Sequence, residues 1–250
     1  MTEGVSEYDR EAKQLIANRK IIGMLLAAFV DEFQGMTAEE AEAYIVEEPL
    51  IGSVPLDSGM TNTVNTEGIV IYNTENSAHL EGEIKYDILF RVWMRGEISQ
   101  FIINLEIQKN MPTEYPLLNR GIFYGARMLS SEKERDFVKM EYGKMKRAYS
   151  IWLCMNLKEC STYHVQLQGE NRLGTQQWEG DLGLMQLTFV GLPKTLPDKK
   201  ESGIHRLLTG ILSNKISAEK KLELLNEFGL QTDKDIKERV NYMCNLGEGI

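Results

Sequence analysis

The chain has 250 residues and 28.6 kDa, with 42% apolar and 26% charged residues, which excludes a disordered or fibrous protein and fits one large domain with at most a small appendage. No run approaches the roughly 20 apolar residues that a membrane span requires. Lys and Arg number 28 against 37 Asp and Glu, and a net charge of −9 argues at first sight against a polyanionic partner. The opening residues lack the basic start and apolar core of a secretory signal, so a cytoplasmic location is expected. Cys154, Cys160 and Cys244 have neither disulfide-framework nor zinc-ligand spacing.

In chain order, Leu15, Ile22, Leu25, Leu26, Phe29, Val30 and Phe33 keep the i, i+3, i+4 rhythm of one amphipathic helix over 11–33, ended by Gly35. Thr37 with Glu40 three residues on has the form of a capping box and starts a second, short helix to about Val46. Residues 52–68 read as a long polar loop and 69–72 as a short strand, with polar chain to 83. Residues 84–94 alternate as one strand, Arg95-Gly96 makes a tight turn, and 98–108 returns. A helix follows from about Glu114 to Leu129, then strands at 148–156, 163–168 and 182–190. Trp93, Trp152 and Trp178 are spaced like core or strand residues.

The expected fold class is therefore α/β, a mixed β-sheet flanked by helices over 1–195, with a C-terminal helical tail over 196–250. Three short helices are expected in the tail, at 204–212, 218–228 and 233–246. Ser217 caps the second, Gly229 ends it, and Thr232 or Asp233 caps the third. The tail is too small for much core of its own and is expected to pack on the main domain or on a partner, which includes a homo-oligomer.

The polar residues of the hairpin carry the chemistry. With a two-residue turn, Asp87 faces Asn104 and Glu106 faces Lys85, and all four project from one face because the side-chain period is two. Asp87 and Glu106 then stand as diagonal neighbours, about 7–8 Å apart at Cβ, close enough to share one ion. Two carboxylates with the Ile107 carbonyl and the Gln108 amide make an oxygen-rich site suited to Mg²⁺ or Mn²⁺. Spacing alone favours an edge hairpin presenting a solvated polar face over a metal site. Arg120, Tyr124 and Arg127 fall on one helical stripe, suited to phosphate contact and stacking or simply to a surface with a half-buried tyrosine.

Asp87, the string Ile103-Asn-Leu-Glu-Ile-Gln-Lys109, the helix 120–128, the strand 149–156 and the ending 243–249 together resemble the PD-(D/E)XK nuclease superfamily, in its transposase-like, recombination-promoting branch. The resemblance implies a restriction-endonuclease-like core, a Mg²⁺- or Mn²⁺-dependent DNA endonuclease linked to mobile elements, and DNA as partner with no membrane. It implies Asp87 and Glu106 as metal-binding acids, and Gln108 where many members carry a catalytic lysine. Lys109 is counted with Arg120, Tyr124 and Arg127 toward nucleic acid, although a regular strand turns it to the opposite face. A further acid is expected from Glu32, Glu48 or Glu81. Two other readings accommodate the acids: a nuclease-fold protein that binds or assembles without efficient chemistry, and a carboxylate-pair glycoside hydrolase, which explains neither the Glu-x-Gln strand nor the Arg-Tyr helix. Over 85–147 the basic residues number 12 against 8 acids, so the acidity lies outside the proposed site.

Overall fold

The computed structural model describes residues 3–45, 49–51, 75–78, 82–85, 87–93, 100–133, 137–200, 203–230, 232 and 234–248. Helices α1 (Glu3–Ile16), α2 (Arg19–Phe29) and α3 (Ala38–Glu42) precede strands β1 (Leu50–Ile51), β2 (Glu75–Ala78), β3 (Gly82–Lys85), β4 (Ile88–Trp93) and β5 (Gln100–Gln108). Then come α4 (Leu117–Ser130), β6 (Arg147–Leu157), β7 (Ser161–Gln166), β8 (Met185–Pro193) and the helices α5 (Gly203–Leu212), α6 (Ala218–Glu227) and α7 (Lys234–Glu248).

The fold is α/β. Six strands form a mixed sheet in the order β1-β4-β5-β6-β8-β7, with β5, β6 and β8 parallel to one another. Residues on the two faces alternate. Ile103 and Leu105 of β5 and Tyr149, Ile151 and Leu153 of β6 join the larger core, beneath the helices that open and close the chain. Asn104 and Glu106 lie on the other face, in register with Ser150 and Trp152 of β6. There α4 covers Trp152 and Cys154. As the crossover between two parallel strands, α4 runs back along the sheet, so its first turns lie near the carboxyl ends of the strands.

The single N-terminal helix expected from periodicity is two helices. The Asn18 side chain accepts from the Lys20 amide and caps α2, so the chain turns while the apolar rhythm continues. The Thr37/Glu40 capping box is present in both directions, 3.2 and 2.8 Å, although α3 ends at Glu42. The stretch 84–94 is also not one strand. β3 pairs with β2, whose residues read as polar chain, while β4 pairs with β1 and β5, and Asp87 sits in the bend between β3 and β4. Residues 52–74 lie outside the described residues. Of the three tryptophans only Trp152 is core, since Trp93 is 42% and Trp178 85% exposed.

The tail forms three helices close to the expected bounds, with the Ser217 cap and the left-handed Gly229 in place. Of the two cap candidates for the third, Thr232 donates its hydroxyl to the Asn226 side chain, and Asp233 lies outside the described residues. Leu208 and Ile211 of α5, Leu224 and Leu225 of α6 and Val240 and Met243 of α7 all enter the larger core, so the tail spends its apolar faces on the body of the chain. Among the described residues no helix is long and apolar enough to cross a membrane.

Candidate metal centre at the carboxyl end of the sheet

The observed hairpin register differs from the expected one by two residues. Ile88 pairs with Leu105 and Trp93 with Gln100, so residues 94–99, which lie outside the described residues, separate the paired ends in place of a two-residue turn. The difference is even, and the facing of every side chain is therefore kept. It brings Asp87 beside Glu106 rather than Asn104: the Asp87 amide donates to Glu106 Oε1 at 3.2 Å, and the Ile107 amide donates to Asp87 Oδ2 at 2.9 Å. Glu106 is not opposite Lys85 in the observed register, since Lys85 of β3 pairs with Glu75 of β2.

The two acids stand in unlike surroundings. Asp87 is partly exposed, and its Oδ1 lies 2.7 Å from Lys13 Nζ of α1, which also holds Asp9 at 3.0 Å. Burial opposes the charge on Lys13, but these carboxylates raise its pKa above the ordinary lysine value. Glu106 is 4% exposed. Burial, and next the neighbouring Asp87 carboxylate, push its pKa up to about 8, against the opposing pull of the Asp87 amide, Arg120 and Asn104. Glu106 therefore favours its protonated form far more than an ordinary glutamate does.

Helix α4 supplies the cationic and aromatic side of the site. Gly121 and Gly125 let it press onto the sheet: a Cβ at Gly121 would stand 2.7 Å from Phe189 Cζ, and one at Gly125 2.9 Å from Met185 Sδ. This close approach sets Arg120 over the rings of Tyr124 and Trp152, with 4.9 and 5.3 Å from guanidinium carbon to ring centroid. Arg120 also donates to the Tyr124 hydroxyl (3.0 Å), the Tyr115 hydroxyl (3.3 Å) and Gln108 Oε1 (3.4 Å). The Gln108 amide nitrogen donates to the Asn110 carbonyl at 2.5 Å.

Asp87, Glu106, Ile107, Gln108, Arg120 and Tyr124 are therefore brought together. Lys109 lies on the opposite face, with Nζ 5.9 Å from the Tyr8 ring centroid. Arg127 is 6% exposed and does not face solvent beside Arg120, because seven residues of a helix running back along the sheet carry it about 10 Å from the carboxyl ends of the strands. Glu32 is also elsewhere. It bonds Arg147 and the Tyr149 hydroxyl, and Arg147 is in register with Phe101, at the far end of β5 from Glu106. Glu48 and Glu81 lie outside the described residues. Sequence reasoning missed Lys13, whose only local signal is the i, i+4 spacing to Asp9.

Among the described residues no group of three or more acidic, histidine or cysteine side chains is placed to hold a metal; a cation beside Asp87 and Glu106 would need neutral oxygens and water to complete its shell. That donor set fits Mg²⁺ or Mn²⁺, which keep several waters. The Lys13 ammonium already marks the place of a positive charge on Asp87 Oδ1. Burial pushes the Cys154 thiol pKa up to about 12, which disfavours its thiolate form. Comparison of the chain with protein-family models, curated proteins and solved structures finds no match.

Proposed function

We propose that the chain is a Mg²⁺- or Mn²⁺-dependent DNA endonuclease of the PD-(D/E)XK type, acting in the cytoplasm and linked to mobile elements. The observation that carries this reading is the meeting of Asp87 and Glu106 across β4 and β5 beneath Arg120. The side chains of Asp87 and Glu106 and the Ile107 carbonyl would hold the ion, which supplies polarisation of a phosphoryl oxygen and a lowered pKa for water. Gln108 orients water through an amide, without the charge a lysine would bring. Arg120, its guanidinium fixed by Tyr124 and Tyr115, presents a preorganised cation to a phosphate. Lys13 balances Asp87 while no cation is bound.

Plasmid nicking with Mg²⁺ or Mn²⁺ tests the reading on wild type, Asp87→Ala and Glu106→Ala. Cleavage by the wild type and loss in both variants is expected; equal cleavage by all three would come from a contaminant and sink the reading. A second reading, a nuclease-fold binding module without efficient chemistry, is favoured by Lys13 on Asp87 and by Gln108 tied to the Asn110 carbonyl. It is distinguished by a Mn²⁺ titration that shows no Asp87-dependent binding.

A further inference from the structure

At the carboxyl ends of β5, β6 and β8, on the α1 side of the sheet, lies a cavity of about 470 Å³, within the size range of small-molecule sites. Open α/β sheets hold ligands at this end of their strands. One residue from each strand, Ile107, Met155 and Leu192, gives it an apolar floor. Tyr8 forms a fixed wall, because its hydroxyl donates to the Leu212 carbonyl at 2.9 Å and the residue is buried.

The rim is cationic. Among the described residues, Arg10, Lys13, Lys109, Lys194 and Lys215 line the cavity against one acid, Asp9. Lys13 is committed to Asp9 and Asp87, and Arg10 to Glu11. Among the described residues Lys109, Lys194 and Lys215 have no ion pair, although they come from three separate parts of the chain: the residue after β5, the residue after β8 and the turn between α5 and α6. Like charges gathered around one cavity repel unless an anion joins them. The backbone beneath them is pinned. Asn156 adopts the left-handed conformation (φ 63°), and its side chain donates to the Lys109 carbonyl at 2.8 Å, tying the end of β6 to the end of β5. Lys194 and Lys215 also border an adjoining recess with Asn110 and Met111, so the cavity opens toward the segment that follows Gln108.

We propose that this cavity binds a phosphomonoester carried by a nucleoside-sized body, with the phosphate among Lys109, Lys194 and Lys215 and the body against Tyr8 and the apolar floor. The ligand is either a free mononucleotide or the 5′-phosphorylated end of a nucleic acid strand. Recognition of the phosphate rests on this cavity alone, and it is read without metal, so its failure and failure of the nuclease reading are separate results.

The test is calorimetric titration of the full chain in EDTA at low salt with five probes: adenosine 5′-monophosphate, adenosine, inorganic phosphate, a 5′-phosphorylated tetranucleotide and its 5′-hydroxyl twin. At least one 5′-phosphorylated probe is expected to bind about tenfold or more tighter than its unphosphorylated counterpart and than inorganic phosphate. Lys194→Glu/Lys215→Glu is expected to weaken that binding by about tenfold or more, with the melting temperature held because both side chains are exposed. A response to the monophosphate assigns a free nucleotide; a response to the phosphorylated tetranucleotide alone assigns a strand end. Equal affinity with and without the 5′-phosphate, equal affinity for inorganic phosphate, or affinity unchanged in a folded double variant overturns the proposal.

Discussion

The two ends of the sheet each gather acids, cationic side chains and tyrosine hydroxyls, one Arg and one Tyr at the first and two of each kind at the second, and they do opposite things with them. At the amino end of β6, Arg147 lies between Glu32 and Asp181, and Tyr149 donates to Glu32, so both acids there share a cationic partner. The Asp181 pKa is lowered: burial raises it, but Arg147 and the Gly183 amide outweigh burial. At the carboxyl end of β5, Asp87 shares Lys13 with Asp9, the Arg120 donors are engaged by Tyr124, Tyr115 and Gln108, and Glu106 is left buried with its pKa raised. Matched charges fasten the η-turn at Asp31–Phe33 and the segment before β8 to the sheet. A buried acid with a raised pKa is costly to ionise, and perturbed acids of this kind gather at functional sites.

The largest expected effect separates the two ends by activity. Asp87→Asn is expected to lower metal-dependent plasmid nicking about 100-fold or more, whereas Glu32→Gln leaves the rate within about threefold. Equal losses from both substitutions would erase the distinction.

The second effect separates them by pH. The folded pKa of Glu106 lies above its unfolded value, so its contribution to stability is full at low pH and is lost as pH rises toward 8. Denaturant unfolding should therefore find Glu106→Gln more stable than wild type by about 2 kcal/mol at pH 8.5, with the difference shrinking toward pH 5. A pH-independent difference would remove the buried ionisation from the account.

Third, Gly121→Ala drives a Cβ against Phe189 and is expected to lower stability by about 1–3 kcal/mol, because the closeness of α4 to the sheet is what sets Arg120 over Trp152. Thermal denaturation within about 1 °C of wild type would show that α4 yields easily. The smallest effect belongs to the matched end. Asp181, partly exposed, is expected to contribute about 0.5 kcal/mol, present at neutral pH and lost as pH falls through the acidic range. Asp181→Asn should show that loss at pH 7 and none at pH 2.5.

Much of this was legible in the sequence where the signal is local. The capping box at Thr37, the Ser217 cap, the left-handed Gly229 and the alternation of β4 and β5 depend on residues a few positions apart, and each appears in the structure. The facing of Asp87, Glu106 and Gln108 was legible for the same reason. The register was not: it depends on a turn within 94–99 that the sequence marked at Arg95-Gly96, and only the parity of the offset survived. Arg127 was misplaced because helical spacing gives a stripe without saying how far along the sheet each turn travels.

By itself, then, the sequence determined an α/β chain, the two acids on one strand face and the arginine-tyrosine pair on the helix that follows. Tertiary structure alone decided that Asp87 lies beside Glu106, that Lys13 from the first helix balances it, that Glu32 serves the other end of the sheet, and that Lys109, Lys194 and Lys215 meet around one cavity. The reason is physical. Caps and side-chain periods are set by backbone geometry over one or two turns, whereas ion pairs, burial and the pKa values they shift depend on which distant segments the sheet and core bring together.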